Sequence, residues 1–178
     1  GSRKYRYELI LVKKNGDWVS IDSQLPNKLA KEAIESGTIK LMEEPFSIKT
    51  EHTEGNSRFD LLLTSDKGQK CFVEVKGVTL EKDGMAMFPD APTERGRKHL
   101  EELIRLRKRG FQTVVLFIIQ MEKIHGFRTY HENDPGFAEK LREAKNSGVQ
   151  VLAYRCVVDR ERIRVVEEVL WDNRTEDV

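Results

Sequence analysis

Three extended segments follow one another with almost nothing between them, and this spacing constrains the chain more than any other feature. Phe46 to His52, Arg58 to Thr64 and Lys70 to Lys76 each read as a strand, joined by turns containing Gly55-Asn56 and Lys67-Gly68. Connections this short can link only antiparallel neighbours, because a parallel crossover needs a dozen or more residues. The rest of the chain must therefore pack around a three-stranded antiparallel unit. Ahead of it, Tyr5 to Lys13 alternates as a strand, Asn15-Gly16 signals a hairpin, and Trp18 to Ile21 returns beside it. Leu25 to Ser36 places Leu29, Ala30, Ala33 and Ile34 on one helical face and is closed by Gly37.

Beyond the unit, Pro92 to Arg109 forms a helix started by Asp90 or Thr93 and ended by Gly110. The apolar, β-branched run Thr113 to Ile119 reads as a central strand. Pro135 to Asn146 is a further helix, Val149 to Val158 a further strand, and Arg162 to Trp171 one more strand at an edge. This order predicts an α/β fold with a mixed central sheet flanked by helices. The helix, three strands, helix, strand core is also the layout of the restriction-endonuclease-like fold. Fold alone does not fix function, so the case rests on particular residues.

Composition narrows the classes. The 178 residues suit one domain, and 38% hydrophobic content is enough for a core without disulfides or structural metal. Cys71 and Cys156 lie inside apolar runs without ligand spacing, which excludes a disulfide scaffold and a zinc ribbon. They read as buried thiols in a reducing compartment. The longest apolar run, Val114 to Ile119, is far short of the ~20 residues of a membrane span. No signal peptide is visible, and Gly1-Ser2 has the look of a cloning remnant, so a cytoplasmic location without membrane association is expected. With 31 Lys and Arg against 30 Asp and Glu, any basic surface must be local.

The chemistry concentrates on Asp60 in one strand and Glu74-Val75-Lys76 in the next. Residues two apart in a strand share a face, so Glu74 and Lys76 point together while Cys71, Val73 and Val75 point into an apolar layer. Asp60, on the neighbouring strand, can reach the same face. Two carboxylates and a lysine suit phosphodiester hydrolysis. The carboxylates can hold Mg2+ or Mn2+ in an oxygen shell, and the lysine can orient a water or offset phosphoryl charge. The spacing alone proves nothing: Glu143-Ala144-Lys145 repeats it on a helix, where the two side chains do not face each other. A solvated face or a salt bridge across a hairpin is the competing reading.

Secondary candidates surround these. Glu32 flanks the apolar stripe of its helix, where it is either a further metal ligand or a surface charge. Lys98, Arg105 and Arg109, with Arg95 nearby, line one side of the second helix and could meet phosphates, although charged outer faces are ordinary on surface helices. His99 lies beside the Gly96, Leu100, Leu103 stripe; it reads as a partly buried structural histidine more than a catalytic base, with a place lining the site as its other reading. Gln120 ends the buried strand and either lines the site or caps the strand edge. Phe88, Phe111 and Phe117 are assigned to the core.

The stretch Cys71-Phe-Val-Glu-Val-Lys-Gly-Val-Thr-Leu80, followed by Met87-Phe-Pro-Asp-Ala-Pro-Thr-Glu-Arg-Gly-Arg-Lys-His-Leu100, closely resembles the sugar fermentation stimulation protein family. Leu25-Pro-Asn-Lys-Leu29, Arg58-Phe-Asp60, Val115 to Gln120 and Val151 to Arg155 carry the same resemblance, which spans about Trp18 to Arg155. It implies a PD-(D/E)xK nuclease domain with metal ligands at Asp60 and Glu74, joined by the Val75 carbonyl, and the lysine at Lys76. An acid on the first core helix would match Glu32. Asp60, Glu74 and Lys76 are the catalytic set, and Arg95, Lys98 and Arg105 the nucleic-acid contacts. The resemblance further implies DNA as partner, a homodimer as one admissible assembly, and an N-terminal oligonucleotide-binding-like barrel. Residues 1–17 would then be a strand leading in from that barrel, itself absent, and 18–178 the nuclease-like domain. Some members have been described as DNA-binding regulators of sugar metabolism, so a binding module with little cleavage is the alternative. At Gly77 the family pattern more often carries a polar residue.

Overall fold

The computed structural model describes residues 9–14, 16–55 and 57–173. The elements follow as β1 (Leu11–Lys14), β2 (Asp17–Ser20), α1 (Leu25–Glu35), β3 (Phe46–Glu54), β4 (Ser57–Ser65) and β5 (Lys70–Val78). Next come β6 (Leu80–Lys82), β7 (Met85–Phe88), α2 (Glu94–Lys108), β8 (Gln112–Ile119) and β9 (Gly126–Thr129). The chain closes with α3 (Pro135–Asn146), β10 (Gln150–Val158), β11 (Ile163–Glu168) and β12 (Trp171–Asp172).

The central sheet has the order β11-β10-β8-β5-β4-β3. β3, β4 and β5 pair antiparallel as their short turns require, while β5, β8 and β10 run parallel and β11 returns antiparallel. This is the mixed sheet expected from the sequence. Each parallel connection passes through a helix that must cover a sheet face. α1 buries Leu29, Ala30, Ala33 and Ile34 against Leu61, Val73, Val75, Leu116 and Ile118. Leu29 and Ile34 each contribute about 2 kcal/mol by leaving water. α2 and α3 cover the opposite face, where Leu100, Leu103, Phe137 and Leu141 meet Phe72, Val115, Phe117 and Ile119. Phe88, Phe111 and Phe117 all pack in or against that second layer.

Several expectations are revised. The N-terminal strand predicted over Tyr5 to Lys13 begins in residues 1–8, outside the described part, and its described portion is Leu11–Lys14 paired with β2. The segments 80–88 and 126–129, not predicted as strands, build with β12 a second sheet ordered β12-β9-β7-β6. Strands of two to four residues carry too little alternation to register as a pattern, and pairing alone defines them. The strand predicted over Arg162 to Trp171 is two strands: β11 completes the central sheet, and Trp171 leaves it for the small one.

One residue joins the two outer helices. The Asp134 side chain caps α3 by accepting from the Phe137 amide at 2.9 Å and accepts from the Thr93 amide at 2.8 Å. Thr93 in turn caps α2, its hydroxyl accepting from Gly96 at 2.9 Å. Arg97 closes over the same carboxylate, with Nη1 at 2.7 and 2.8 Å from its two oxygens. The first turn of α2, which leads directly into His99, is thereby tied to the start of α3.

Candidate metal and phosphodiester site

The candidate site forms where the ladder between β4 and β5 opens. Backbone pairing runs from Thr64↔Lys70 to Leu61↔Val73 and stops. One step further, the same register sets Asp60 opposite Glu74. Like charges directly opposite on neighbouring strands repel. Here the strands part, and the Asp60 side chain substitutes for the missing backbone partner: its Oδ2 accepts from the Val75 amide at 2.8 Å. A strand residue presents its N–H and C=O toward the same neighbour, so the Val75 carbonyl faces the edge where β4 has left. On the other side of Asp60, the register of β3 sets Glu51 opposite it, and Glu51 holds a left-handed φ of 52°. A non-glycine residue in that conformation stores strain, and such residues collect at functional sites.

α1 fills the gap from the other face. Its Asn27 Nδ2 donates to Asp60 Oδ1 at 2.8 Å, so each Asp60 oxygen is oriented by one donor. Helix and sheet meet closely because Gly77 lacks a side chain. A Cβ there would stand 2.7 Å from Pro26 Cγ, in the first turn of α1. Glycine at position 77 thus has a steric reason.

Glu74 is buried, at 3% exposure. Its Oε1 receives Lys76 Nζ at 2.8 Å and the Nδ1 of His99, which reaches down from α2. Its Oε2 is also buried, with no hydrogen-bond partner among the described residues. Burial pushes the Glu74 carboxyl upward, but the His99 hydrogen bond and the Lys76 charge outweigh it and hold the group below its ordinary range. Asp60 moves the other way: burial, then the charge of Glu74, raise its carboxyl above the ordinary range despite the Val75 and Asn27 hydrogen bonds. The pair is an ionised glutamate beside an aspartate that resists ionisation.

The structure therefore brings Asp60, Glu74, Val75 and Lys76 together as the sequence predicts. His99 belongs with them, not merely beside an apolar stripe: it touches Glu74 directly. Two other candidates fall elsewhere. Among the described residues no set of three His, Cys, Asp or Glu side chains is arranged to hold a metal, so Glu32 does not complete one with Asp60 and Glu74. The physical reason is helical phase: Asn27 is the α1 residue turned to Asp60, and Glu32 lies five residues on, about 140° around the axis. Gln120 alternates with Leu116 and Ile118 onto the α1 face, opposite Glu74 and Lys76, and its amide packs near Gly77 and Pro26. Asn27 is the site residue that composition and spacing missed; its signal was its place in the Leu25-Pro-Asn-Lys-Leu29 segment that carries the resemblance.

The basic stripe of α2 is less free than it reads. Lys98 pairs with Glu94 at 2.9 Å and Arg105 with Glu102 at 2.5 Å. Arg109 reaches Glu54 at 3.4 Å and lies over the Phe111 ring. Arg95 is exposed and lies one turn before His99, on the same side of the helix.

The family model for the sugar fermentation stimulation protein RE domain matches residues 24–162, a span that includes every site residue named above. A sugar fermentation stimulation protein homolog of Clostridium kluyveri is 51% identical over 168 residues, covering 94% of this chain and 73% of that protein. Homologs of the same name from Clostridium tetani and Clostridium botulinum are each 48% identical, covering 94% and 91% of this chain and 73% and 70% of their own lengths. Among solved structures, one described as Pyrococcus furiosus SfsA in complex with Ca2+ aligns with a TM-score of 0.87 at 32% identity. That alignment covers 97% of this chain and 74% of the other.

Proposed function

This chain belongs to the sugar fermentation stimulation protein family, and from that membership together with the Asp60–Glu74 carboxylate pair we propose that it is a divalent-metal-dependent nuclease acting on DNA. The observation that carries the reading is the buried Oε2 of Glu74, which has no donor among the described residues and sits beside a second carboxylate. A buried carboxylate oxygen without a partner is costly, and two facing carboxylates compound that cost. A hard cation relieves both, and carboxylate and carbonyl oxygens are the donors that Mg2+, Mn2+ and Ca2+ take. The Ca2+ complex of the Pyrococcus furiosus relative supports divalent binding in this fold.

In this reading Asp60, Glu74 Oε2 and the Val75 carbonyl hold the ion. Bound there, Mg2+ or Mn2+ supplies charge neutralisation at the attacked phosphate and acidifies a water. The remaining work falls to side chains. Lys76 is 15% exposed, and its charge, held beside Glu74 Oε1, steadies the attacking water or the phosphoryl oxygens. Arg95, exposed at the start of α2, holds the phosphate backbone in this reading. Lys98 and Arg105 can join it only by exchanging partners, which costs little because exposed ion pairs contribute about 0–1 kcal/mol. Strand-borne ligands keep the arrangement stiff.

The test is incubation with plasmid and labelled single-stranded DNA in Mg2+, Mn2+ or EDTA. Metal-dependent cleavage by the wild type, lost in Asp60→Ala and Lys76→Ala with the fold intact, is expected. Cleavage that persists in pure Asp60→Ala would sink the proposal. Salt-sensitive DNA binding without cleavage in any metal would assign the chain instead to a binding role.

A further inference from the structure

We propose that His99 is a positioning residue that divides the two oxygens of Glu74 between two tasks, Oε1 to the protein and Oε2 to the divalent cation. The inference rests on the metal reading above and adds a residue which that reading does not use. A carboxylate on a strand can rotate about its last bond, exchanging its oxygens, unless something distinguishes them. Lys76 alone distinguishes them weakly, since its amine sits on a flexible four-carbon stem and must also face the substrate. His99 differs in kind. Its ring is 15% exposed, and it projects from the second turn of a 15-residue helix. That helix is fixed by the Thr93 cap, by the Asp134 bridge to α3, and by Leu100 and Leu103 in the core.

Nδ1 of His99 and Nζ of Lys76 both address Oε1, and nothing among the described residues addresses Oε2. A carboxylate only accepts, so Nδ1 must carry the hydrogen, which makes the ring a fixed donor aimed at one oxygen. The result is a buried acceptor saturated on one side and held open on the other, the arrangement a metal ligand needs before the ion arrives. His99 is not itself a ligand: its Nδ1 is committed to Glu74, and no three-residue metal set exists among the described residues. Partners that orient metal ligands typically matter 10- to 100-fold, roughly, in metal affinity.

The experiment measures Mn2+ binding without DNA, following free Mn2+ by electron paramagnetic resonance. Wild type is compared with His99→Leu, His99→Asn and Asp60→Ala, each checked for folding by circular dichroism. His99→Leu should bind roughly 10- to 100-fold more weakly. His99→Asn, whose amide nitrogen replaces Nδ1 as donor, should recover most of the affinity. In wild type, the ring nitrogen-15 spectrum should show Nδ1 protonated, a readout independent of whether any variant folds. Wild-type affinity in His99→Leu, an Asn variant no better than Leu, or an unprotonated Nδ1 would each overturn the role of His99 while leaving the metal site standing. Failure of wild type to bind Mn2+, or unchanged binding in Asp60→Ala, would overturn the metal reading and this inference with it.

Discussion

Substitution of Asp134 separates helix capping from charge at the joint that sets α2. The wild-type carboxylate is 4% exposed and meets the amides of Phe137 and Thr93 and the Arg97 guanidinium. Alanine removes the α3 cap, worth about 1 kcal/mol. It also leaves the Thr93 amide without an acceptor, at a cost of about 1–3 kcal/mol. Arg97 is 34% exposed and can turn to water, so its loss adds at most about 1 kcal/mol. The expected total is about 2–5 kcal/mol, or roughly 4–20 °C in melting temperature for a chain of this size. Asparagine keeps one acceptor for Phe137 and caps as well as aspartate, but its amide hydrogens then oppose Thr93 and Arg97, at about 2 kcal/mol. Serine restores only the cap. The order of stability in urea unfolding should be wild type, Asp134→Asn, Asp134→Ser, Asp134→Ala.

The pH dependence has a definite sign. Burial pushes the Asp134 carboxyl up, but the two amides and Arg97 prevail and hold it below the ordinary range. A depressed carboxylate adds stability above the unfolded-state pKa of about 3.9, and this is lost as pH falls through the folded-state value. The gap between wild type and Asp134→Asn should therefore be widest at neutral pH and narrow below about pH 4. An asparagine variant within about 0.5 kcal/mol of wild type at pH 7 would refute the account, since capping alone would then explain the residue.

Two further substitutions probe the opening between β4 and β5. Gly77→Ala should destabilise by about 1–3 kcal/mol through contact with Pro26, and Pro26→Ala should rescue part of that loss in a double-mutant cycle; additive effects would contradict the close approach. In metal-free protein, Asp60→Asn should gain stability relative to wild type as pH rises. Burial and the Glu74 charge raise the Asp60 carboxyl, so the wild type loses stability between its unfolded- and folded-state pKa values. Asparagine can meanwhile accept from Val75 and donate to a reoriented Asn27. A stability difference that does not change with pH would count against the carboxylate coupling.

Much of this protein is legible one segment at a time. The short turns after β3 and β4 leave only antiparallel pairing, the apolar run at β8 can exist only as a covered strand, and helical period marks the buried face of α1. Asp60 and the Glu74–Lys76 pair are legible for the same reason, because strand alternation is local and sets which side chains share a face. Tertiary structure decided the rest. Sequence spacing cannot say where a ladder stops, so the parting of β4 and β5 at Asp60, and the side chain that replaces the lost backbone bond, depend on both strands in place. Nor can it say which turn of a helix will meet a sheet: Asn27 rather than Glu32 faces Asp60 because Gly77 lets Pro26 approach and fixes the phase of α1. His99 reads locally as part of an apolar stripe and becomes a donor to Glu74 only when α2, anchored through Thr93 and Asp134, lies across the sheet. Local pattern fixes the direction of a side chain along its own element, whereas its partner is set by the packing of elements distant in sequence.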